Sequence, residues 1–241
     1  MQNVLNVQNV QSSTGTIVSD PSAQLFNAIS SLPGLLAYYP LNETSGNAIN
    51  RAPATFGLYN GTVSNATQGA AGSIGNAYSF DGSGDRVIIP SIVPAATFSF
   101  ILAFKRNGAQ ANSDRIIDQA SGGPIKGWHI GFDAGGDIDF QSWNDSGTSL
   151  GMTFGSVADG EWVVLGGSIG PTASVLYLNG SEIATGGGST FGAGIVADLQ
   201  FGCRSGGTSN PVTGSLQHVA IGSGVQWSAA AHLQVASFFL T

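Results

Sequence analysis

The sequence predicts an all-β sandwich of antiparallel strands, preceded by a polar arm with a short helix and closed by a second short helix. Three observations carry this expectation. From Leu35 onward apolar residues recur at alternate positions in short runs, the period of a strand with one buried face. Gly, Asn, Asp and Ser separate the runs, and 36 glycines among 241 residues suit a chain of many tight turns. Charged residues make up 9% and hydrophobic residues 42%, unlike the Glu- and Lys-rich composition of helical proteins. The length fits one sandwich, so the expected organisation is an arm and helix over 1–34 and a sandwich over 35–241.

In the arm, Val4, Leu5, Val7, Val10, Ile17 and Val18 lie among Asn, Gln, Ser and Thr, a pattern suited to adding a strand to a neighbouring molecule. Asp20 then offers an N-cap, Pro21 suits the first helical position, and Leu25, Ile29 and Leu32 share a face before Pro33-Gly34 ends the helix. Phe98, Phe100, Leu102 and Phe104 alternate with Thr97, Ser99, Ile101 and Ala103, and Trp128, Ile130 and Phe132 alternate with His129, Gly131 and Asp133. Each set reads as a strand with one face in a core. Further strands are expected at 86–90, 115–119, 137–143, 162–169, 174–179, 199–203 and 216–222, with Asn179-Gly180 as a hairpin turn. Ser228 offers the cap of a closing helix that would bury Leu233, Ala236 and Leu240.

Composition excludes several functions. Seven Lys and Arg against fourteen Asp and Glu give a formal net charge of −7, with no basic cluster, so nucleic acid is not an expected partner. No apolar run approaches the length of a membrane span, and the first residues lack the basic and apolar regions of a signal peptide, so neither membrane insertion nor standard export is expected. Cys203 is the only cysteine, which rules out an intrachain disulfide and suits a small buried apolar residue.

Four blocks then resemble the laminin-G-like members of the concanavalin-A-like lectin and glucanase superfamily. They are 36–46 (LAYYPLNETSG), 77–90 (AYSFDGSGDRVIIP), the pair 159–165 and 175–185 (DGEWVVL and VLYLNGSEIAT), and 214–221 (GSLQHVAI). The resemblance implies a concanavalin-A-like jelly-roll β-sandwich. It also implies a place to look for Ca²⁺, which such modules hold with Asp and carbonyl oxygens; here Asp81 with Asp85, and Asp133 with Asp137, are the candidates, each also explicable as a turn-forming Asp. Glycosidase relatives carry carboxylates at alternate positions of one strand. The nearest match, Asp137-Ile-Asp139-Phe-Gln141, ends in an amide that cannot donate a proton to a leaving group, so no catalytic residue and no cofactor are assigned. His129, His218 and His232 show no metal-ligand spacing.

Two functions are compatible with this reading. The first is a non-enzymatic structural protein of a bacteriophage virion, a capsid decoration or a tail or fibre component made in the host cytoplasm. It would be anchored by its arm to virion proteins such as a major capsid protein and assembled as a homo-oligomer. The alternative is a carbohydrate-binding, lectin-like module, for which Tyr59, Trp143 and Trp227 are the candidates to stack on sugar rings.

Overall fold

A computed structural model describes residues 10–11, 17–18, 20–90, 92–120, 126–143, 148–188 and 197–240. In chain order the elements are β1 (Val10–Gln11), β2 (Ile17–Val18), α1 (Pro21–Ser30), β3 (Leu35–Tyr39), a 3-10 turn (Pro53–Thr55), β4 (Thr62–Ser64), β5 (Thr67–Ala71), β6 (Asn76–Asp81), β7 (Arg86–Ile89) and β8 (Phe98–Arg106). They continue with β9 (Arg115–Asp118), β10 (Gly127–Phe132), β11 (Ile138–Trp143), β12 (Ser149–Gly155), β13 (Trp162–Ile169), β14 (Ala173–Leu178), β15 (Ser181–Gly187), β16 (Leu199–Phe201), β17 (Thr213–Ser223) and α2 (Ala229–Ala236).

The strands form two antiparallel sheets face to face. One has seven strands in the order β12-β11-β10-β9-β16-β7-β4. The other has eight, in the order β15-β14-β13-β8-β17-β6-β5, with β3 pairing the second half of β17. Phe98, Phe100, Leu102 and Phe104 of β8 meet Trp128, Ile130 and Phe132 of β10 and Phe140 of β11 between the sheets, so the alternation read from the sequence points into a shared core. Phe100 stacks on Trp128 at 5.9 Å and on Phe140 at 5.5 Å. The Asn179-Gly180 turn joins β14 to β15 with φ of 52° and 80°, the left-handed pair that a tight hairpin requires.

The eight-stranded sheet is apolar on both faces. Ile101 and Ala103 of β8, Val164 of β13 and Ala220 of β17 point away from the main core into a second one, where they meet Leu25, Ile29 and Leu32 of the first helical segment and Val235, Ala236 and Phe239 of the last. The helix at 21–30 therefore packs on the sandwich. Asp20 caps it as its position suggested, accepting from the Ser22 N–H at 3.0 Å.

Two expectations need amendment. The buried face of α2 and the turn after it carries His232, Val235, Phe239 and the expected Ala236, while Leu233 and Leu240 are half-exposed, so the stripe that meets the sheet differs from the expected one. Strands β4, β5 and β12 add edges that the expected strand set lacked. In the arm, Val10 pairs with Val18 and Gln11 with Ile17, so these short segments pair with each other. Val4, Leu5 and Val7 lie outside the described residues.

Candidate functional site

The outer face of the seven-stranded sheet is built differently from that of its partner. Its inner face is apolar, so the intervening residues of each strand must point outward. The register brings them into one row across the sheet: Gln141 of β11 lies opposite His129 of β10, His129 opposite Asp118 of β9, Asp118 opposite Gln200 of β16, Gln200 opposite Ile88 of β7, and Ile88 opposite Thr62 of β4. On the same face Trp143 follows Gln141, and Asp139 precedes it. Neither helix covers this row.

The middle of the row is sealed by the turn that follows β16. Asp118 accepts from the Ala120 and Ser205 N–H groups, both at 3.0 Å, and pairs with the Arg115 guanidinium at 3.4 Å. The Gln200 amide nitrogen donates to the Arg204 carbonyl at 3.1 Å and its oxygen accepts from the Gly206 N–H at 3.1 Å. Burial pulls the Arg115 pKa down while the facing carboxylates of Asp118 and Asp139 oppose that shift, and burial pushes the Cys203 thiol up to about 11. Asp118 and Gln200 thus spend their hydrogen-bonding capacity on the surrounding backbone.

Toward β11 the row is less committed. The Trp143 ring is half-buried and tilts over the His129 ring at 5.2 Å, leaving part of its surface to solvent. Gln141 donates to Asp139 at 2.6 Å. Beneath Trp143, His129 Nε2 and Asp139 Oδ1 are buried 3.8 Å apart with no hydrogen-bond partner of their own. An amphipathic ring beside an amide and a carboxylate, on a rigid sheet, is a surface that can stack on a sugar ring and hydrogen-bond its hydroxyls.

The other stacking candidates fare differently. Trp227 is buried, 2% exposed, with its Nε1 donating to the Pro33 carbonyl at 2.9 Å and its backbone N–H donating to Ser99 Oγ at 2.8 Å; it anchors the second core and is no sugar platform. Tyr59 is exposed, with φ of 58° and its carbonyl accepting from the Tyr39 hydroxyl at 2.7 Å. It lies on the loop into β4, five strands from β11, or roughly 24 Å away at the usual strand spacing, so it does not join Trp143. Phe56 and Leu58 precede it, 62% and 57% exposed, a pair that sequence reasoning passed over although both sit in a Gly-containing turn. Asn50 holds this loop, its Nδ2 donating to the Thr55 and Leu58 carbonyls at 3.1 and 3.0 Å.

The Ca²⁺ candidates serve turns. Asp81 accepts from the Ser83 N–H at 2.8 Å, and Asp85 from the Asp81 N–H at 3.0 Å. Asp133 accepts from the Gly135 and Asp137 N–H groups at 2.8 and 3.0 Å. Among the described residues no three His, Cys, Asp or Glu side chains are grouped to hold a metal ion. Nor is any helix among them long and apolar enough to cross a membrane.

A family model described as the concanavalin A-like lectin/glucanases superfamily, of laminin-G type, matches residues 81–226. The chain belongs to this superfamily. Several solved structures share the fold. The binding domain of Paraclostridial Mosquitocidal Protein 1 superposes with a TM-score of 0.67 at 14% identity, over 90% of this chain and 54% of that one. The binding domain of botulinum neurotoxin DC, solved in complex with SialylT, gives 0.67 at 14% identity over 88% and 52%. Domain 4 of AbnA, an extracellular arabinanase of Geobacillus stearothermophilus solved in complex with arabinotriose, gives 0.64 at 19% identity over 84% of this chain and 98% of that domain. The chain thus spans about half the length of the toxin binding domains and nearly all of the arabinanase domain. No curated protein matches it in sequence.

Proposed function

We propose that the chain is a non-catalytic carbohydrate-binding module that holds its glycan on the outer face of the seven-stranded sheet, with Trp143 as the stacking platform and Gln141 and Asp139 as the polar groups beside it. The observation that carries this reading is the contrast between the committed centre of the polar row and its open β11 end, where an indole is held half-exposed over His129. Two of the similar structures hold saccharide ligands by their descriptions, which favours the glycan-binding alternative over the virion component also expected from the sequence.

The acids described on this face support binding without turnover as the reading to test. Asp118 is tied to Arg115 and two backbone N–H groups, and the partner of Asp139 on the strand face is the Gln141 amide, so among the described residues of this face no second carboxyl stands ready to serve as acid or nucleophile. A glycan array probed with the wild type should give hits that Trp143→Ala weakens at least about tenfold, some 1.4 kcal/mol, with no reducing ends released from those glycans. Hits that survive Trp143→Ala undiminished would remove the site from this face.

A further inference from the structure

A second cleft lies at the far side of the sandwich, where the N-terminal turn of α1, the end of β3 and the β5–β6 turn converge on a break in β17. It encloses about 220 Å³, with walls that include Ser22, Phe26, Tyr38, Asn42, Ile74 and His218. A neighbouring recess of about 320 Å³ shares Ser22, Ile74 and Gly75 with it and extends it to Phe238.

The base of the cleft is strained and under-satisfied. The pairing of β17 with β8 shifts register between Gln217 and Ala220, and His218, at the shift, adopts φ of 53°, a left-handed conformation uncommon outside glycine. His218 is 4% exposed; its Nδ1 shares a 2.7 Å hydrogen bond with the Tyr38 hydroxyl, while its Nε2, set against the Ile74 backbone, makes no hydrogen bond of good geometry. The adjoining Gln217 is fully buried, its Oε1 accepting from the Ser73 N–H at 2.9 Å and its Nε2 unpartnered. A strained His218 with an unmet ring nitrogen at the wall of the cavity, and the unpartnered Gln217 amide behind it, favour a ligand at this place.

We infer that this cleft is a separate site for a small neutral polyhydroxylated ligand, a single sugar residue or a polyol. Among the described residues, the walls of both recesses carry no charged side chain to neutralise a phosphate or carboxylate. Phe26, Ile74 and Phe238 supply an apolar side, and the Ser22 hydroxyl, the Asn42 amide and the Tyr38–His218 pair supply donors and acceptors, the combination that recognises the two faces of a pyranose. Burial lowers the His218 pKa to about 4, so the imidazole is neutral near pH 7.

The test follows the His218 ring resonances while the methyl glycosides of glucose, galactose, mannose and N-acetylglucosamine are each added to about 50 mM, enough to fill a site of millimolar Kd. At least one should shift them saturably. Ser22→Trp, at an exposed helix position whose indole would fill the cleft, should weaken that binding tenfold or more at an unchanged melting temperature. His218→Asn, which tolerates the same backbone conformation, should abolish it when followed through Tyr38. Trp143→Ala should leave it intact, which separates this site from the sheet-face site. No shift with any of the four glycosides, or a shift that survives Ser22→Trp, would overturn the inference.

Discussion

The two outer faces of the sandwich come from the same alternation rule and have opposite fates. Behind β8, β13 and β17 the outward residues are Ile101, Ala103, Val164 and Ala220, and two helices cover them. Behind β9, β10, β11 and β16 they are Asp118, His129, Asp139, Gln141 and Gln200, and no helix among the described residues covers them. The first face stabilises the molecule through apolar burial, at roughly 25 cal/mol per Å². The second buries most of its polar residues beneath a hydrogen-bonded turn and keeps a half-exposed indole at one end, where the proposed glycan site lies.

The largest expected effect tests the structural side of this contrast. Trp227→Ala removes a buried indole that hydrogen-bonds the Pro33 carbonyl and packs in the helix layer, and should cost about 3–5 kcal/mol in urea unfolding. A loss under about 1 kcal/mol would mean that the helix layer is loosely held.

Acid should act on the same layer. Burial lowers His232 to about 3 and His218 to about 4, so both stay neutral in the folded chain at pH values where the unfolded chain, with ordinary histidines near 6.5, takes up protons. Their share of stability is complete above about pH 6.5 and is lost progressively as pH falls toward 3, a few kcal/mol in all. Buried Asp85 and Asp114, whose carboxyls burial raises, titrate in the opposite sense and offset part of the loss. Denaturant midpoints between pH 7 and 4 should decline, and His232→Gln should flatten the decline; an unchanged slope would place the acid sensitivity elsewhere.

Ser228→Ala should have a smaller effect, about 1 kcal/mol, because the hydroxyl caps α2 by accepting from the Ala231 N–H at 3.3 Å. Thermal unfolding measures it, and a loss as large as that of Trp227→Ala would show that α2 contributes more than its buried face accounts for.

What the sequence revealed follows from how local each signal is. Asp20-Pro21, Ser228 and Asn179-Gly180 mark caps and a turn through contacts only a few residues apart, and all three stand where they were read. The alternation in β8 and β10 was legible too, and Leu150, Met152 and Phe154 of β12 carry the same signal, interrupted by Gly151. Trp227 was misread because its burial depends on Ser99 and Pro33, far away in sequence. Leu233 and Leu240 were misread because a short Ala-rich helix has more than one apolar stripe, and the sheet beneath it selects which is buried. At the candidate site, Trp143 and Asp139 were individually visible, but the row from Gln141 to Thr62 exists only through strand register, which no local pattern encodes.

The most direct test of the division between a structural face and a binding face is a calorimetric titration of the best array glycan into wild type and Trp143→Ala. The account predicts an affinity at least about tenfold lower for the variant, with its unfolding free energy within about 1 kcal/mol of wild type because the indole is only half-buried. Equal affinities would contradict it, as would a variant destabilised as severely as Trp227→Ala.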